Sequence, residues 1–213
     1  MIANSESVTA VVAVIDDDQG IREALDGMLR SVGLQVECFA SAQEFLAKDD
    51  RDKFGCIVLD VHLPNRNGLD FLDDLAALHV TTPVIVISGF ADVPMSVRAM
   101  KAGAIEFLTK PVRAMDLLAA VEAAVKRDRA TKQAAEKIAG LKADFETLTV
   151  REREVFAYVA AGLMNKQIAA ALDLSEATIK LHRGTVMRKM RANSVADIVR
   201  MADRLGREPP SLA

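Results

Sequence analysis

Residues 11–18 read VVAVIDDD, five apolar residues followed at once by three aspartates. A short, fully apolar run is typical of a strand that is buried on both faces, as in a parallel sheet covered by helices. The aspartates stand where that strand would end, and in an open α/β sheet the ligand site lies beyond the carboxyl ends of the strands. This stretch therefore predicts an α/β fold and the edge of the sheet at which a polar site forms.

The rest of the first half repeats this alternation. Further strands are predicted at residues 36–39, 56–59, 84–87 and 105–108, each followed by a segment whose apolar residues have helical spacing. Parallel strands need crossover connections, so five strands that alternate with five helices predict a doubly wound, parallel, five-stranded sheet. We place this α/β domain at residues 9–125.

The second half is helical in pattern throughout. Residues 126–147 are rich in Ala, Lys, Arg and Glu, which favours a helical linker. Capping residues then predict helix starts at Thr149, Asn165, Ser175 and Ser194. The short helix, three-residue turn and longer helix in the middle match helix-turn-helix geometry. We therefore predict an all-α, four-helix domain at residues 148–206, with a disordered tail at 208–213.

The net charge differs between the two halves. The chain carries 27 Lys and Arg against 30 Asp and Glu, a total of −3, but residues 1–120 carry −8 and residues 151–213 carry +4. Such an asymmetry indicates two domains with different partners. A hydrophobic content of 51% excludes a chain that is disordered throughout.

The cellular compartment is bounded by what the sequence lacks. No apolar run approaches the roughly 18–20 residues of a membrane span, and residues 1–9 are polar, unlike a signal peptide. Cys38 and Cys56 lie far apart, so we expect two core thiols. We therefore expect a cytoplasmic protein with no membrane partner.

Polar residues follow four of the predicted strands, at positions that the fold would bring to one edge of the sheet: Asp16, Asp17, Asp18, Asp60, Ser88 and Lys110. Crowded carboxylates repel one another unless a cation lies between them. Mg²⁺ takes carboxylates together with a phosphate oxygen, while Lys110 and Ser88 would supply a fixed charge and a hydroxyl donor to a phosphoryl group. These are the parts for phosphoryl transfer onto an aspartate.

Four motifs resemble the receiver domain of bacterial two-component response regulators: VIDDD (14–18), VLDVHLPNRNG (58–68), VISG (86–89) and FLTKP (107–111). The resemblance implies a flavodoxin-like receiver fold with Asp60 as the phosphoacceptor. It also implies a Mg²⁺ site made by Asp16, Asp17, Asp60 and the backbone carbonyl of His62.

The same resemblance assigns a switch to this domain. Lys110 holds the phosphoryl group, and the bond between Lys110 and Pro111 is expected to be cis, as is plausible only before proline. Ser88 and Phe107 match the paired switch residues. Ser88 would move toward the phosphoryl group and Phe107 would fill the space it leaves, which would turn residues 94–102 and 105–109 into a dimerisation face.

A basic stretch, KLHRGTVMRKMR, occupies residues 180–191. On a helix at about 100° per residue, Ile179, Val186 and Met190 fall on one stripe. The opposite side carries Lys180, Gly184, Arg188 and Arg191, with Arg183 and Lys189 flanking them. The result is an amphipathic helix whose cationic face is sized for the major groove of DNA. Lys166, at the start of the preceding helix, is placed for a phosphate contact.

Residues 148–190 resemble LuxR-type helix-turn-helix domains. With the receiver motifs, the whole chain resembles a response regulator of the NarL/FixJ subfamily, and residues 92–111 (DVPMSVRAMKAGAIEFLTKP) resemble its FixJ-like branch. The resemblance implies that Lys180, Leu181 and Gly184 face the bases. It also implies that Thr178 and Arg183 can reach phosphates or flanking bases, and that the final helix forms the dimer contact on DNA.

The expected function is that of a transcription regulator rather than an enzyme. A sensor histidine kinase would phosphorylate Asp60 in a Mg²⁺-dependent transfer that the regulator itself catalyses, and the phosphorylated homodimer would bind double-stranded promoter DNA.

Three other functions agree less well with the sequence. A phosphatase of the haloacid-dehalogenase type needs a second aspartate two residues after the first, where this chain has His62. A DNA binder that ignores phosphorylation is disfavoured because every element of the acidic pocket is present. An RNA-binding antiterminator is disfavoured by the helix-turn-helix pattern.

Overall fold

The computed structural model describes residues 10–64, 66–90 and 92–207. The expectations for residues 1–9 and for the tail at 208–213 therefore lie outside the described residues. The chain divides into two units, Met1–Thr131 and Lys132–Ala213.

The first unit alternates strands and helices. Its strands are β1 (Val11–Ile15), β2 (Gln35–Phe39), β3 (Phe54–Asp60), β4 (His62–Leu63), β5 (Arg66–Asn67), β6 (Val84–Ser88) and β7 (Glu106–Thr109). Its helices are α1 (Gln19–Arg30), α2 (Ala42–Leu46), α3 (Gly68–Ala77), α4 (Val93–Lys101) and the first part of α5 (Ala114–Glu146), with a short 3₁₀ turn at Arg51–Lys53.

Five of these strands form one parallel sheet in the order β2-β1-β3-β6-β7, which confirms the predicted doubly wound fold. All residues of β3 and β6 are buried, as expected of strands covered by helices on both faces. The two short strands β4 and β5 pair antiparallel in a hairpin directly after β3. The apolar patterns of the sequence do not predict this hairpin.

Apolar residues cover both faces of the sheet. On one face, the rings of Phe39, Phe45, Phe54 and Phe71 pack edge-on or tilted, with centroids 5.4–6.2 Å apart. Leu25, Leu29, Leu117 and Val121 from α1 and α5 cover the other face. This packing fixes the strand ends, so the residues that follow each strand are held by the core.

The strand order explains why distant residues meet. Because β1 and β6 both flank β3, Asp16 after β1 and Ser88 at the end of β6 lie on either side of Asp60 at the end of β3. Lys110 follows β7, the next strand along. The carboxyl ends of four strands thus bring the predicted polar residues to one edge.

Helix α5 is a single helix over Ala114–Glu146, and the division between the two units falls within it. Most of the stretch predicted to be a helical linker is therefore helical. In the part of the chain that the structure describes, no helix is long and apolar enough to cross a membrane.

The second unit contains the end of α5 and four more helices, α6 (Val150–Ala160), α7 (Asn165–Leu172), α8 (Glu176–Lys189) and α9 (Val195–Arg204). Ile179, Val186 and Met190 are buried in its core, which confirms the predicted inner stripe of α8. Between α7 and α8 the chain turns at Asp173, which adopts a left-handed conformation with φ of 52°.

One predicted helix cap is wrong. Asn165 is the first residue of α7 rather than its cap, and Met164 takes the capping position. The Gln167 side chain accepts a hydrogen bond of 2.8 Å from the Met164 backbone N–H. The Asn165 side chain is engaged elsewhere, since its Oδ1 accepts a hydrogen bond of 2.9 Å from Arg183 Nη1.

Candidate functional site

Three carboxylates meet at the carboxyl edge of the sheet. Asp16, Asp17 and Asp60 each offer an oxygen, and these oxygens lie within 4.8 Å of one another. Asp16 and Asp60 are buried, whereas Asp17 is exposed. The cluster is therefore accessible to solvent at Asp17, while its other two carboxylates are buried.

Lys110 lies between the two buried carboxylates. Its Nζ is 2.7 Å from Asp16 Oδ2 and 3.0 Å from Asp60 Oδ1. Although the ammonium is close, Asp60 Oδ1 is buried and accepts no hydrogen bond of good geometry. One oxygen of the predicted acceptor thus has an ion-pair contact with Lys110 but accepts no hydrogen bond of good geometry from a described residue.

Burial and charge act in opposite directions on this pair. Burial raises the pKa of Asp16, and the hydrogen bond from Lys110 only partly offsets that effect. Burial alone would lower the pKa of Lys110, but its interactions with Asp16 and Asp60 outweigh burial and raise the pKa. Lys110 therefore stays a fixed positive charge at neutral pH.

The donor set fits a divalent cation. Hard cations such as Mg²⁺ bind carboxylate oxygens, and three of them are gathered here from two strand ends. The ammonium of Lys110 neutralises only one of the three negative charges, and Asp60 Oδ1 accepts no hydrogen bond of good geometry from a described residue. A second cation would complete the charge balance.

The two predicted switch residues, Ser88 and Phe107, differ in burial. Ser88 is completely buried, and its Oγ donates a hydrogen bond of 2.8 Å to the carbonyl of Phe90. Phe107 on β7 is half-buried against the phenylalanine-rich core. The bond between Lys110 and Pro111 is cis, as predicted.

His62 is exposed at the start of β4, and its ring lies 6.0 Å from that of Phe90 in an edge-on contact. His62 and Asp17 line the same surface concavity, so His62 lies beside the acidic cluster. The role of its backbone carbonyl as a metal ligand stays a prediction.

Gly68 is a site residue whose importance is evident only from the structure. It begins α3 behind the β4–β5 hairpin, and its N–H donates a hydrogen bond of 2.8 Å to the carbonyl of Val61. A Cβ atom here would lie 2.1 Å from the carbonyl oxygen of Asp60. The sequence signal that could have identified this residue is its position as the last residue of the VLDVHLPNRNG motif.

The second unit presents a separate exposed surface on α8. A shallow concavity is lined by Ala177, Lys180, Leu181, Gly184, Thr185 and Arg188. Leu181 is 71% exposed, although it is a large apolar residue, and a Cβ atom on Gly184 would meet nothing within 4 Å. We call these six residues the α8 face. It unites four of the residues predicted to contact DNA.

The other predicted DNA contacts are distributed around this face. Lys166 is exposed at the start of α7. The Thr178 hydroxyl lies 2.8 Å from the capping hydroxyl of Ser175, and Arg183 is held by Asn165.

Lys189 has a different partner. Its Nζ lies 2.6 Å from Glu152 Oε2 and donates a hydrogen bond of 3.0 Å to the carbonyl of Thr147. The hydrogen bond from Lys189 lowers the pKa of the buried Glu152 carboxyl. The charge of Lys189 is therefore paired within the domain, and its predicted contact with DNA stays a prediction.

Both units match known protein families. Residues 12–122 match the response regulator receiver domain, and residues 146–202 match the family described as bacterial regulatory proteins, luxR family. The first match covers the acidic cluster and the second covers the α8 face. The two units are thus a receiver and a DNA-binding domain.

Relatives share this combination along nearly the whole chain. Nodulation protein W of Bradyrhizobium diazoefficiens is 51% identical over 200 residues, which are 94% of this chain and 88% of that protein. The transcriptional regulatory protein FixJ of Rhizobium meliloti is 40% identical over 90% of this chain and 94% of its own length. The structure of the response regulator StyR is similar with a TM-score of 0.84 and 40% identity, over 92% of this chain and 99% of that one.

The chain belongs to the two-component response regulators that join a receiver domain to a LuxR-type helix-turn-helix domain, within the FixJ-like branch. Its homologues are transcriptional regulators of two-component systems. This combination of domains implies a kinase and DNA as partners.

Proposed function

We propose that the chain is a transcription regulator whose DNA binding is controlled by a phosphoryl group on Asp60. The observation that carries this proposal is the meeting of Asp60, Asp16, Asp17 and Lys110 at one sheet edge, with the Lys110 ammonium 3.0 Å from a buried oxygen of Asp60. We assign residues 9–125 to the receiver, 126–147 to the linker and 148–206 to the DNA-binding domain.

Asp60 would act as a nucleophile toward a phosphohistidine of the kinase. A bond forms between a carboxylate oxygen of Asp60 and phosphorus, while the bond between phosphorus and the histidine nitrogen breaks. The Lys110 ammonium, 3.0 Å from Asp60 Oδ1, is placed to bind a phosphoryl oxygen. The reaction is a single transfer onto the protein, so the chain is a regulator rather than an enzyme.

Asp16, Asp17 and Asp60 would hold Mg²⁺ with the carbonyl of His62. When bound, the metal neutralises charge on the phosphoryl oxygens. The chain's own residues orient the acceptor, since burial of Asp16 and Asp60 and the ammonium of Lys110 fix the carboxylates before a donor arrives.

Phosphorylation would be transmitted through Ser88 and Phe107. Among the described residues, Ser88 Oγ is hydrogen-bonded to Phe90 and Met95, on its own loop and on α4, and can be redirected toward the new phosphoryl oxygens. Phe107 is half-buried on β7, the strand that pairs with β6, and by its resemblance to the family's switch residue it would fill the space that Ser88 leaves. We propose that α4 and β7 then form the face of a homodimer.

The dimer would place two α8 faces in successive major grooves. Lys180 and Arg188 supply positive charge, and Leu181 and Gly184 allow close approach to base edges. Thr178, Arg183 and Lys166 would contact phosphates or flanking bases. Because the partners are a kinase and promoter DNA, we propose that the protein acts in the cytoplasm.

A labelling experiment tests the acceptor. The full chain is incubated with Mg²⁺ and acetyl phosphate, and phosphoryl incorporation is measured by intact mass spectrometry. We expect one adduct on the native chain and none on Asp60→Asn, with normal labelling of Asp70→Asn as a control on an exposed carboxylate. Incorporation into Asp60→Asn would refute the assignment.

A further inference from the structure

Arg22 binds the loop that carries the metal-binding carboxylates. It lies in the first turns of α1 and is half-buried. Its Nη1 donates a hydrogen bond of 2.7 Å to the carbonyl of Asp16 and one of 2.8 Å to the carbonyl of Asp17. One guanidinium nitrogen therefore holds two consecutive peptide units of the acidic loop.

The two carboxylates depend on this support to different degrees. The Asp16 carboxylate is buried, accepts a hydrogen bond from the backbone N–H of Asp18 and is paired with Lys110. The Asp17 carboxylate is exposed and accepts no hydrogen bond from any described residue. The direction of Asp17 is thus set by its backbone, and Arg22 is the side chain that holds that backbone.

The other hydrogen bonds of the loop hold its two ends rather than the peptide units that Arg22 contacts. Asp18 caps α1 through a bond from the Ile21 N–H, which fixes the far end of the loop. The Asp16 N–H donates to the carbonyl of Phe39, which fixes the near end. Between these two anchors, Arg22 fixes the peptide units of Asp16 and Asp17.

We infer that Arg22 is a positioning residue that presets Asp16 and Asp17 for a divalent cation. The inference rests on the proposed Mg²⁺-dependent function. Holding the loop in its binding geometry removes an ordering cost that metal binding would otherwise meet. Groups that orient metal ligands in this way typically change metal affinity by about 10–100-fold when they are removed.

The sign of the effect separates positioning from simple electrostatics. Arg22 is a cation near a cation site, so its charge alone opposes metal binding, and its removal would tighten binding. Positioning predicts the opposite, a weaker site. The two explanations therefore cannot give the same result.

Calorimetric titration of the full chain with Mg²⁺ alone, without a phosphodonor, provides the test. We expect Arg22→Ala to raise the dissociation constant about tenfold. The Mg²⁺ concentration that half-saturates phosphorylation by acetyl phosphate should rise in parallel, while the rate at saturating Mg²⁺ changes less. Unchanged or tighter Mg²⁺ binding by Arg22→Ala would overturn the inference.

Arg30→Ala is the matched control. Arg30 also lies on α1 and also donates to a backbone carbonyl, that of Val36, at 2.7 Å. Arg30→Ala therefore removes one positive charge and a hydrogen bond to a backbone carbonyl, as Arg22→Ala does, but it leaves the acidic loop unchanged. We expect its Mg²⁺ dissociation constant to equal that of the native chain, and an increase matching that of Arg22→Ala would count against a positioning role.

A second variant and the result for the native chain distinguish failure of this inference from failure of the proposed function. If the alanine variant does not fold, Arg22→Gln carries the test with the same expected sign, because its shorter side chain cannot make the bonds of Arg22 to the carbonyls of Asp16 and Asp17. If the native chain binds no Mg²⁺, the proposed function itself fails. If it binds Mg²⁺ and Arg22 variants bind equally well, only the inference fails.

Discussion

Gly68 and Asp60 approach so closely that a Cβ atom on the glycine would lie 2.1 Å from the carbonyl oxygen of the aspartate. The same atom would lie 2.9 Å from Val61 Cα, so backbone rather than a flexible side chain blocks the space. The hairpin that follows β3 can therefore fold back onto the acceptor only if this position has no side chain.

Replacing Gly68 with Ala is expected to displace the acceptor strand. Overpacking of this kind costs roughly 1–3 kcal/mol, and the phosphorylation rate should fall because Asp60 moves relative to Lys110. Chemical denaturation and the rate of labelling by acetyl phosphate measure the two effects. Gly27→Ala is the control: a Cβ there meets nothing within 4 Å, and alanine in a helix should be neutral or stabilising. Normal labelling of Gly68→Ala would contradict this account.

Removal of Lys110 should make stability depend strongly on Mg²⁺. Lys110→Ala leaves the buried carboxylates of Asp16 and Asp60 without their shared cation, which is expected to cost about 3 kcal/mol in the absence of metal. Mg²⁺ should restore more stability to this variant than to the native chain. Thermal unfolding in EDTA and in excess Mg²⁺ checks this, and an equal metal effect on both proteins would show that Lys110 does not balance the carboxylates.

Glu152 and Lys189 should stabilise the DNA-binding domain in a pH-dependent way. The hydrogen bond from Lys189 lowers the pKa of Glu152, so the unfolded state binds the proton more tightly. The contribution is therefore present above the unfolded pKa of about 4.5 and is lost as the pH falls through the lower folded value. At pH 7, Glu152→Gln should cost about 1.5–3 kcal/mol.

Denaturation of the full chain at pH 7 and at successively lower pH values measures this loss. The difference between Glu152→Gln and the native chain should shrink as the pH falls below about 4.5. Glu154→Gln, which removes the exposed pair with Arg151, should cost under about 1 kcal/mol at every pH. A cost for Glu152→Gln that does not vary with pH would rule out the ion pair as its source.

Gly184 should separate stability from DNA affinity. Because a Cβ there meets nothing within 4 Å, Gly184→Ala should stabilise α8 by up to about 1 kcal/mol while weakening binding to a duplex selected from a random library. Gly140→Ala, also without neighbours, should leave DNA affinity unchanged. Equal DNA affinity for Gly184→Ala and the native chain would mean that DNA does not approach this position closely.

Lys180 should carry part of the DNA affinity without affecting phosphorylation. It is exposed on the α8 face and has no intramolecular ion pair among the described residues. Lys180→Ala should weaken binding to the selected duplex by about 1–3 kcal/mol if it contacts a base edge. Fluorescence anisotropy measures this, and the labelling of Asp60 should be unaltered. Undiminished affinity would remove Lys180 from the proposed interface.

The sequence patterns predicted the sheet and its polar edge because both depend on local signals. Apolar runs such as residues 84–87 identify buried strands, and the polar residue that ends each run marks the strand end. The order of the strands then follows from the fold class, so Asp16, Asp60 and Lys110 could be expected to meet. The inner stripe of α8 was equally predictable from helical spacing.

The remaining features depend on contacts between residues that are distant in sequence. The partner of Lys189 is Glu152, 37 residues away, so spacing alone placed its charge on the outer surface. Asn165 was predicted to be a cap because its residue type favours that position, but Arg183 engages its side chain. Arg22 lies outside the four receiver motifs, so the sequence patterns gave no reason to expect its hydrogen bonds to two backbone carbonyls.

Control of DNA binding by a phosphoryl group on Asp60 can be measured directly. The measurement is the dissociation constant for the selected duplex, with and without acetyl phosphate in the presence of Mg²⁺, for the native chain and for Asp60→Asn. We expect acetyl phosphate to tighten DNA binding by the native chain and to leave the affinity of Asp60→Asn unchanged. Equal affinity of the native chain with and without the donor, despite full phosphorylation of Asp60, would show that the phosphoryl group does not control binding.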